Sequence, residues 1–325
     1  MEWSTLVRAL PASALLTLLG GCGGGTAPTP SAPSGLESRS DFIEAAGARL
    51  RSVLDYPAGP GPFPAVVIGH GSGRATTSDG AAYVPFLRER GFAVLRYDKR
   101  GVGGSTGTYR GVSAANSVSQ IAELGGDMAS ALAYLAARPE IDARRLGLMG
   151  TSQAGWVMVA AAERSPLARF VVAVTGSVES VGTNIQYEEL RDLPIDEAYA
   201  RFAEVGAPSG YDPAPVLQVL GTPTLWLLGG QDRLVPTREC VNILTRLRSL
   251  GARTTFVVYP DSEHGLLSED FWPDIDRFLG PLGLASSNKN GRSRERPDPG
   301  RGLGDGLAYC QVPPSITLLS VPPVS

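Results

Sequence analysis

Short, mostly apolar runs recur along residues 41–285, and longer stretches with apolar residues at helical spacing separate them. Two strands, 42–45 and 48–54, are predicted before the first of these runs. The runs themselves are 65–68, 92–97, 146–149, 170–174, 223–228 and 254–259. A continuous apolar run is typical of a strand that is buried on both faces of a parallel sheet. The alternation of runs and helical stretches therefore predicts an α/β domain with a mostly parallel, doubly wound sheet.

The composition changes at both ends of this domain. Residues 1–21 combine a single positive charge with a short apolar segment, which predicts a signal peptide. They end in Leu-Gly-Gly before Cys22, which resembles a bacterial lipobox whose cysteine becomes lipidated; an ordinary signal peptide is the alternative. Residues 22–40 have the composition of a flexible linker, and residues 286–325 that of a disordered tail. We therefore expect export to the bacterial cell envelope, at its periplasmic or extracytoplasmic face, with membrane attachment only through the lipid.

Overall composition narrows the possible functions. The chain has 325 residues, 43% of them hydrophobic, which is enough for one large domain with a substantial core. Its formal net charge of -3 gives no reason to expect a nucleic-acid partner. The three cysteines are too few and too scattered for a disulfide framework or a zinc site. Only two histidines are present, His70 and His264, which restricts the search for a catalytic base.

A serine lies in a sharp turn between a predicted strand and a predicted helix. Residues 150–154 (GTSQA) place Ser152 at the centre of this turn. A nucleophile elbow has this setting, and it needs small residues near the serine because strand and helix pass close together. Gly150 fits the pattern, whereas Ala154 replaces the usual second glycine and is followed by Gly155. Here the chain resembles the α/β-hydrolase superfamily, in particular bacterial serine hydrolases similar to dienelactone hydrolases and prolyl-oligopeptidase catalytic domains.

This resemblance extends to an acid and a base. Asp232 follows the run 223–228 where the superfamily carries its triad acid, and His264 follows the run 254–259 where it carries its histidine. The order of Ser152, acid and base along the chain is that of α/β-hydrolases. Because ligands bind at the carboxyl edge of a parallel sheet, we expect the three side chains to meet there.

Two other carboxylates, Asp261 and Glu263, lie close to His264 in the sequence. A residue adjacent to the histidine on an extended segment points to the other side of the backbone. A carboxylate on a separate loop can approach the imidazole from the required direction, which favours Asp232.

The loop 69–73 (GHGSG) follows the run 65–68. The resemblance implies that this loop supplies one backbone N–H of the oxyanion hole, assigned to Ser72 with Gly71 as the alternative. The second N–H would come from Gln153. His70 is interpreted as a structural residue that shapes the loop.

Residues 98–105 (DKRGVGGS) resemble an Asp-x-Arg-Gly-x-Gly-x-Ser segment of many α/β-hydrolases. Asp98 and Arg100 are interpreted as bracing a turn beside the active site, with a solvated loop as the alternative. Residues 176–220 interrupt the strand–helix rhythm, where α/β-hydrolases commonly insert a cap. So short a cap is expected to leave the acyl site partly open; a surface excursion without substrate contact is the alternative.

These features predict a serine esterase that cleaves small-molecule carboxylic esters, with short acyl chains preferred, through an acyl-enzyme on Ser152. The predicted Ser-His-Asp triad requires no metal or organic cofactor. A thioesterase or peptidase of the same fold is the nearest alternative. A prolyl-oligopeptidase-like peptidase usually carries a large propeller, for which the chain leaves no room. From another class, a non-catalytic binding lipoprotein remains an alternative.

Overall fold

A computed structural model describes residues 38–204, 209–266 and 270–284. The predicted signal peptide, the predicted lipidation site Cys22 and the predicted tail 286–325 lie outside the described residues. The first strand begins at Ser38, so the last three residues of the predicted linker belong to the sheet.

The domain is built on a single sheet of eight strands. The strands are β1 (Ser38–Ala45), β2 (Ala48–Asp55), β3 (Phe63–Gly69), β4 (Ala93–Tyr97), β5 (Ile141–Thr151), β6 (Ala168–Val174), β7 (Thr224–Gly229) and β8 (Thr254–Tyr259). Their order across the sheet is β1-β2-β4-β3-β5-β6-β7-β8. The pairs β1/β2 and β2/β4 are antiparallel, and the other five pairs are parallel. The prediction of a mostly parallel α/β sheet is therefore confirmed.

Helices cover both faces of the sheet. The described helices are α1 (Val84–Glu89), α2 (Ser117–Ala136), α3 (Ala154–Arg164), α4 (Val181–Glu188), α5 (Ile195–Phe202), α6 (Ala214–Val219), α7 (Thr237–Ser249) and α8 (Trp272–Leu279). Buried side chains of α2, α3 and α7 pack on one face of the sheet, and those of α1 and α8 pack on the other. No helix in the described ranges is both long enough and apolar enough to cross a membrane.

The central strands are apolar throughout because both of their faces are covered. In β3, Ala65 and Val67 point to the face with α2 and α3, whereas Val66 and Ile68 point to the face with α1 and α8. Successive side chains of a strand point to opposite faces, so a strand between two helical layers needs apolar residues at every position.

The segment between β6 and β7 contains three short helices, α4, α5 and α6, where the sequence predicts a cap. Helix α4 begins at Val181, where the Ser180 hydroxyl accepts a hydrogen bond from the Thr183 N–H and caps the helix. Helix α6 begins beside two prolines, Pro213 and Pro215. A proline is tolerated in the first turn of a helix, and the Asp212 carboxylate accepts from the Ala214 N–H there.

Candidate active site

The turn between β5 and α3 holds Ser152 in an uncommon backbone conformation. Its φ is 56°, in the left-handed region that residues other than glycine seldom adopt. Its N–H donates to the Val174 carbonyl at 3.3 Å, and its own carbonyl accepts from the N–H groups of Gly155 at 2.9 Å and Ser177 at 3.3 Å. The strained turn is thus fixed by the following helix and by the segment after β6, as in a nucleophile elbow.

The small residues around Ser152 are required by close backbone contacts. A Cβ on Gly150 would lie 2.7 Å from the Gly69 carbonyl oxygen, and a Cβ on Gly155 would lie 2.5 Å from that of Ser177. Ala154 is fully buried, and its methyl group occupies the space that Gly69 and Gly150 leave open by lacking Cβ atoms. The departure from glycine at position 154 is therefore accommodated by two glycines on neighbouring strands.

The structure brings Asp232 and His264 together. His264 Nδ1 lies 2.8 Å from Asp232 Oδ2, while Asp232 Oδ1 accepts from the N–H groups of Leu234 at 2.8 Å and Val235 at 2.9 Å. The Asp232 side chain is 1% exposed and that of His264 is 23% exposed. An ionised carboxylate only accepts hydrogen bonds, so the imidazole carries its proton on Nδ1. The Nε2 lone pair is then available to a serine hydroxyl.

Residues 260–266, here called the histidine loop, are linked to the elbow through the segment that follows β6. The Gly265 N–H donates to the Thr175 hydroxyl at 3.2 Å, and two residues later Ser177 binds the Ser152 carbonyl. No hydrogen bond joins the Ser152 hydroxyl to His264 within the described ranges. Such hydrogen bonds are often long in the free enzyme and shorten only when substrate binds.

The two alternative carboxylates do not pair with the histidine. Asp261 and Glu263 are exposed, and neither forms a hydrogen bond to His264 in the described part of the chain. Residues 229–235, here called the acid loop, instead bring Asp232 to His264. The backbone of this loop lies in close contact with the backbone of the histidine loop. A Cβ on Gly229 would lie 2.5 Å from the Ser262 carbonyl oxygen, and a Cβ on Gly230 would lie 2.3 Å from that of Pro260.

The two predicted oxyanion donors have free N–H groups near the serine. Neither the Ser72 nor the Gln153 N–H donates a hydrogen bond among the residues that the structure describes. Gln153 immediately precedes α3, where the partial positive charge of a helix N-terminus favours an anion. A Cβ on Gly71 would lie 3.7 Å from that of Ser152, so the 69–73 loop adjoins the nucleophile. The choice of Ser72 over Gly71 stays a prediction.

His70 is buried behind this loop rather than exposed at the site. Its Nε2 donates to the Tyr97 carbonyl at 2.7 Å, and its ring packs edge-to-face on that of Tyr97. Burial lowers the pKa of His70 to about 4, with a smaller contribution from the nearby Lys99. A neutral imidazole held in this way shapes the loop, in agreement with the structural interpretation.

Asp98 and Arg100 are buried, which contradicts the alternative of a solvated loop. The Asp98 carboxylate accepts from the N–H groups of Thr77 at 2.7 Å and Gly104 at 2.8 Å. The Arg100 guanidinium binds both oxygens of Asp127 on α2, at 2.7 and 2.6 Å. These side chains fix the turn of the 98–105 segment, as the sequence predicts.

Three side chains that contact the loops of the candidate active site are not identified by the sequence analysis. The Lys99 ammonium binds the 69–73 loop, and Tyr187 and Asn184 of the cap bind the acid loop. Lys99 has a signal in the sequence, because it is one of only two lysines among 29 basic residues. Tyr187 and Asn184 have no such signal, since their contacts depend on how the cap folds back.

A separate cavity of about 680 Å³ lies between the cap and α7. None of the predicted triad residues lines it. Glu179 borders it, and burial raises the pKa of this carboxyl to about 7. The Cys240 thiol is buried and donates to Glu179 Oε2 at 3.0 Å.

The sheet order and the serine on a left-handed turn at the end of a central strand define a serine hydrolase of the α/β-hydrolase fold. Comparison with known proteins identifies the family within this fold. Residues 79–277 match the prolyl oligopeptidase family, and the chain belongs to this family.

Individual relatives are distant. The rice protein acylamino-acid-releasing enzyme 1 (Oryza sativa subsp. japonica) is 27% identical over 166 residues, which cover 47% of this chain and 21% of that enzyme. A Pyrococcus furiosus esterase structure superposes with a TM-score of 0.57 at 18% identity, covering 75% of this chain and 91% of the esterase. Acetyl xylan esterase 1 from Thermoanaerobacterium superposes with a TM-score of 0.55 at 20% identity, covering 77% and 85%. At these identities the structural neighbours show the fold alone.

Proposed function

We propose that the protein hydrolyses carboxylic esters of small molecules through an acyl-enzyme on Ser152. The observation that carries this proposal is the pairing of buried Asp232 with partly exposed His264, on loops linked to the Ser152 elbow. A serine hydroxyl is a poor nucleophile at neutral pH and needs a base so oriented.

The proposed reaction has two halves, acylation of Ser152 and hydrolysis of the acyl-enzyme, and the same groups act in both. His264 Nε2 accepts the proton of the Ser152 hydroxyl as its oxygen bonds to the ester carbonyl carbon. The N–H groups of Ser72 and Gln153 stabilise the resulting oxyanion. The alcohol leaves with the proton from His264, and water then attacks the acyl-enzyme while His264 accepts its proton. The bond from the acyl carbon to the Ser152 oxygen breaks, the carboxylic acid is released, and His264 returns the proton to Ser152. Asp232 holds the imidazole and stabilises its protonated form.

We place an ester first because two structural neighbours that this chain matches over most of their own length are named as esterases. Two other neighbours are named as peptidases, and the match covers 35% and 41% of those chains. A peptidase is the second candidate, because the family is that of prolyl oligopeptidase and a sequence relative is named acylamino-acid-releasing enzyme. Thioester hydrolysis would use the same proposed chemistry. Hydrolysis rates for p-nitrophenyl esters, a thioester and a peptide anilide would separate the three.

Ser152→Ala tests the nucleophile directly. We expect the variant to fold, to lose about 10⁶-fold in kcat and to lose labelling by a fluorophosphonate probe, because the whole triad acts through this hydroxyl. A variant that keeps a tenth of the wild-type activity would remove Ser152 from the mechanism. A wild-type protein that does not label would favour the non-catalytic alternative.

A preference for short acyl chains also forms part of the proposal. The cap consists of three short helices of 8, 8 and 6 residues in its described part. Each buried CH₂ contributes about 0.8 kcal/mol only where an apolar wall covers it. We expect kcat/KM to be higher for butyryl than for dodecanoyl p-nitrophenyl esters, and the reverse order would contradict the proposal.

We further propose that the mature protein is held at a membrane of the bacterial cell envelope through a lipid on Cys22. The lipobox-like sequence before Cys22 supports this. Mass spectrometry of protein expressed in a bacterium that processes lipoproteins should show a lipid increment that Cys22→Ser lacks.

A further inference from the structure

The ammonium of Lys99 is buried against the back of the 69–73 loop. The residue is 2% exposed. Its Nζ donates to the carbonyl oxygens of Gly71 and Gly73, both at 2.9 Å, and to the side-chain oxygen of Gln153 at 3.3 Å. All three N–H bonds of the ammonium therefore have an acceptor. Nζ also lies 4.4 Å from the centre of the Tyr109 ring.

This arrangement is a costly one for a cation. No carboxylate forms an ion pair with Lys99 within the described ranges. Burial of an ammonium is unfavourable unless oxygen atoms replace its water shell, and here three neutral oxygens and an aromatic face replace it. A compact ammonium with three donors fits three converging oxygens, whereas the planar guanidinium suits paired carboxylate oxygens. This explains a lysine here, when 27 of the 29 basic residues are arginines.

The position of the Gly71 carbonyl fixes the direction of the Ser72 N–H. The two groups belong to one peptide unit, which is planar and trans, so they point in opposite directions. Because the Gly71 oxygen is held on Lys99 Nζ, the Ser72 N–H points away from the lysine. A hydrogen bond from a cation to the carbonyl also polarises the peptide unit and makes its N–H a stronger donor.

The third contact of Lys99 reaches the other side of the predicted oxyanion hole. Gln153 follows Ser152 directly, and its side-chain oxygen accepts from Nζ while its N–H stays free. One ammonium thus binds the residues that carry both predicted donors. We propose that Lys99 is a positioning residue of the oxyanion hole, which orients the Ser72 and Gln153 N–H groups from behind and must be protonated to do so.

The proposed role predicts a pH dependence. Burial lowers the pKa of Lys99 to about 8, and a weaker attraction to Asp79 opposes this shift. The titratable groups near Lys99 on neighbouring elements are His70, Asp79 and Tyr109, and those beside it in the chain are Asp98 and Arg100. His70 is neutral above about pH 4, and burial raises the pKa of Tyr109, so neither loses a proton near pH 8. Activity should therefore fall as the pH rises through about 8.

The same pKa has the opposite effect on stability. Between about pH 8 and the ordinary lysine pKa of 10.5, the unfolded chain binds more protons at Lys99 than the folded chain. The free energy of unfolding contributed by Lys99 therefore rises with pH across this window. If Lys99 acted only on stability, the activity of the protein would not fall across the pH range in which the protein becomes more stable.

The inference rests on the proposed function, so the test begins with wild-type protein whose Ser152 labels with a fluorophosphonate. Lys99→Met keeps the length of the side chain and removes its charge. We expect kcat for p-nitrophenyl acetate to fall about 10²-fold, since loss of one oxyanion donor costs on the order of 10²–10³-fold, with KM changed less than about threefold. The loss of activity above about pH 8 should disappear in the variant. Arg74→Met is the matched control.

Arg74 is a suitable control because it directly follows the 69–73 loop and its guanidinium donates to the Gly101 carbonyl at 2.9 Å. It does not bind the Gly71 or Gly73 carbonyl. Its replacement should change kcat less than about twofold. The wild-type pH profile alone is decisive if Lys99→Met does not fold. A kcat/KM that stays constant from about pH 7 to about pH 10 would overturn the proposal, as would a Met variant with wild-type kcat. Failure of Ser152 to label would instead overturn the proposed function.

Discussion

The two sides of Ser152 are organised by different physical means. On the oxyanion side, loops 69–77 and 98–105 are joined by buried charged groups: Asp98 accepts from a backbone N–H of the first loop, and Lys99 donates to its carbonyls. On the acid–base side, loops 229–235 and 260–266 are joined by close backbone contact at Gly229 and Gly230. The Asp232–His264 pair is the one side-chain contact between charged or titratable groups of these two loops in the part of the chain described.

This difference determines what each side should tolerate. Buried charges respond to protonation and to loss of charge, because the low-dielectric interior strengthens every electrostatic interaction. Close backbone contacts respond to added volume, because backbone atoms cannot move aside as a flexible side chain can. The arrangement of the two oxyanion-side loops is therefore expected to depend on the charge of Lys99, and that of the two acid–base loops on the absence of side chains at Gly229 and Gly230.

Within this comparison, the largest effect is expected from the one buried charged side chain of the acid–base loops. Asp232→Asn should lower kcat by about 10⁴-fold, because an amide in this place favours the wrong imidazole tautomer. Its matched controls are Asp261→Asn and Glu263→Gln, which remove exposed carboxylates of the histidine loop and should each cost less than about tenfold. The assignment of Asp232 as the sole acid would fail if Glu263→Gln were as damaging as Asp232→Asn.

The acid and the base could be predicted from sequence because the chain resembles α/β-hydrolases, in which each of these residues follows a particular strand. That resemblance, together with the apolar runs that precede Asp232 and His264, is the basis on which the two residues were expected at the same edge of the sheet. Lys99 follows a strand too, yet its role depends on where the carbonyls of a distant glycine loop point, and side-chain patterns do not encode this. Helix α6 was not predicted, because its prolines are typical of irregular segments unless the start of a helix is recognised.

The next largest effect is expected from Gly230→Ala, which tests whether close backbone contact organises the acid–base side. A Cβ on Gly230 would lie 2.3 Å from the carbonyl oxygen and 2.7 Å from the Cα of Pro260, so Gly230→Ala must push the two loops apart. We expect kcat to fall about 10²-fold, as for a displacement of about 1 Å in a catalytic group. The free energy of unfolding should fall by about 1–3 kcal/mol.

Gly221→Ala is the control, because a Cβ there would have no neighbour within 4 Å. It should change neither kcat nor the midpoint of urea denaturation. If Gly230→Ala keeps full activity, close backbone contact does not organise the acid–base side, and the contrast with the oxyanion side is lost.

The smallest effect concerns the cap. The Tyr187 hydroxyl donates to the Asp232 carbonyl at 2.9 Å, and one turn earlier the Asn184 amide donates to the Leu234 carbonyl at 2.9 Å. Tyr187→Phe keeps the contacts of the ring with Tyr199 and Phe202 and removes one of these two hydrogen bonds. A neutral hydrogen bond contributes about 1 kcal/mol, so we expect kcat to fall about fivefold with little change in KM.

Tyr134→Phe is the matched control for this last variant, because its hydroxyl donates to Asp41 at 2.9 Å on the first strand, far along the sheet from the acid loop. It removes a tyrosine hydroxyl that donates to a carboxylate and accepts from Arg138, and it should leave kcat unchanged. If both variants lower kcat equally, the effect of Tyr187 reflects general stability. A selective loss in Tyr187→Phe would mean that the cap positions the acid loop, so that any substrate that displaces α4 also displaces Asp232.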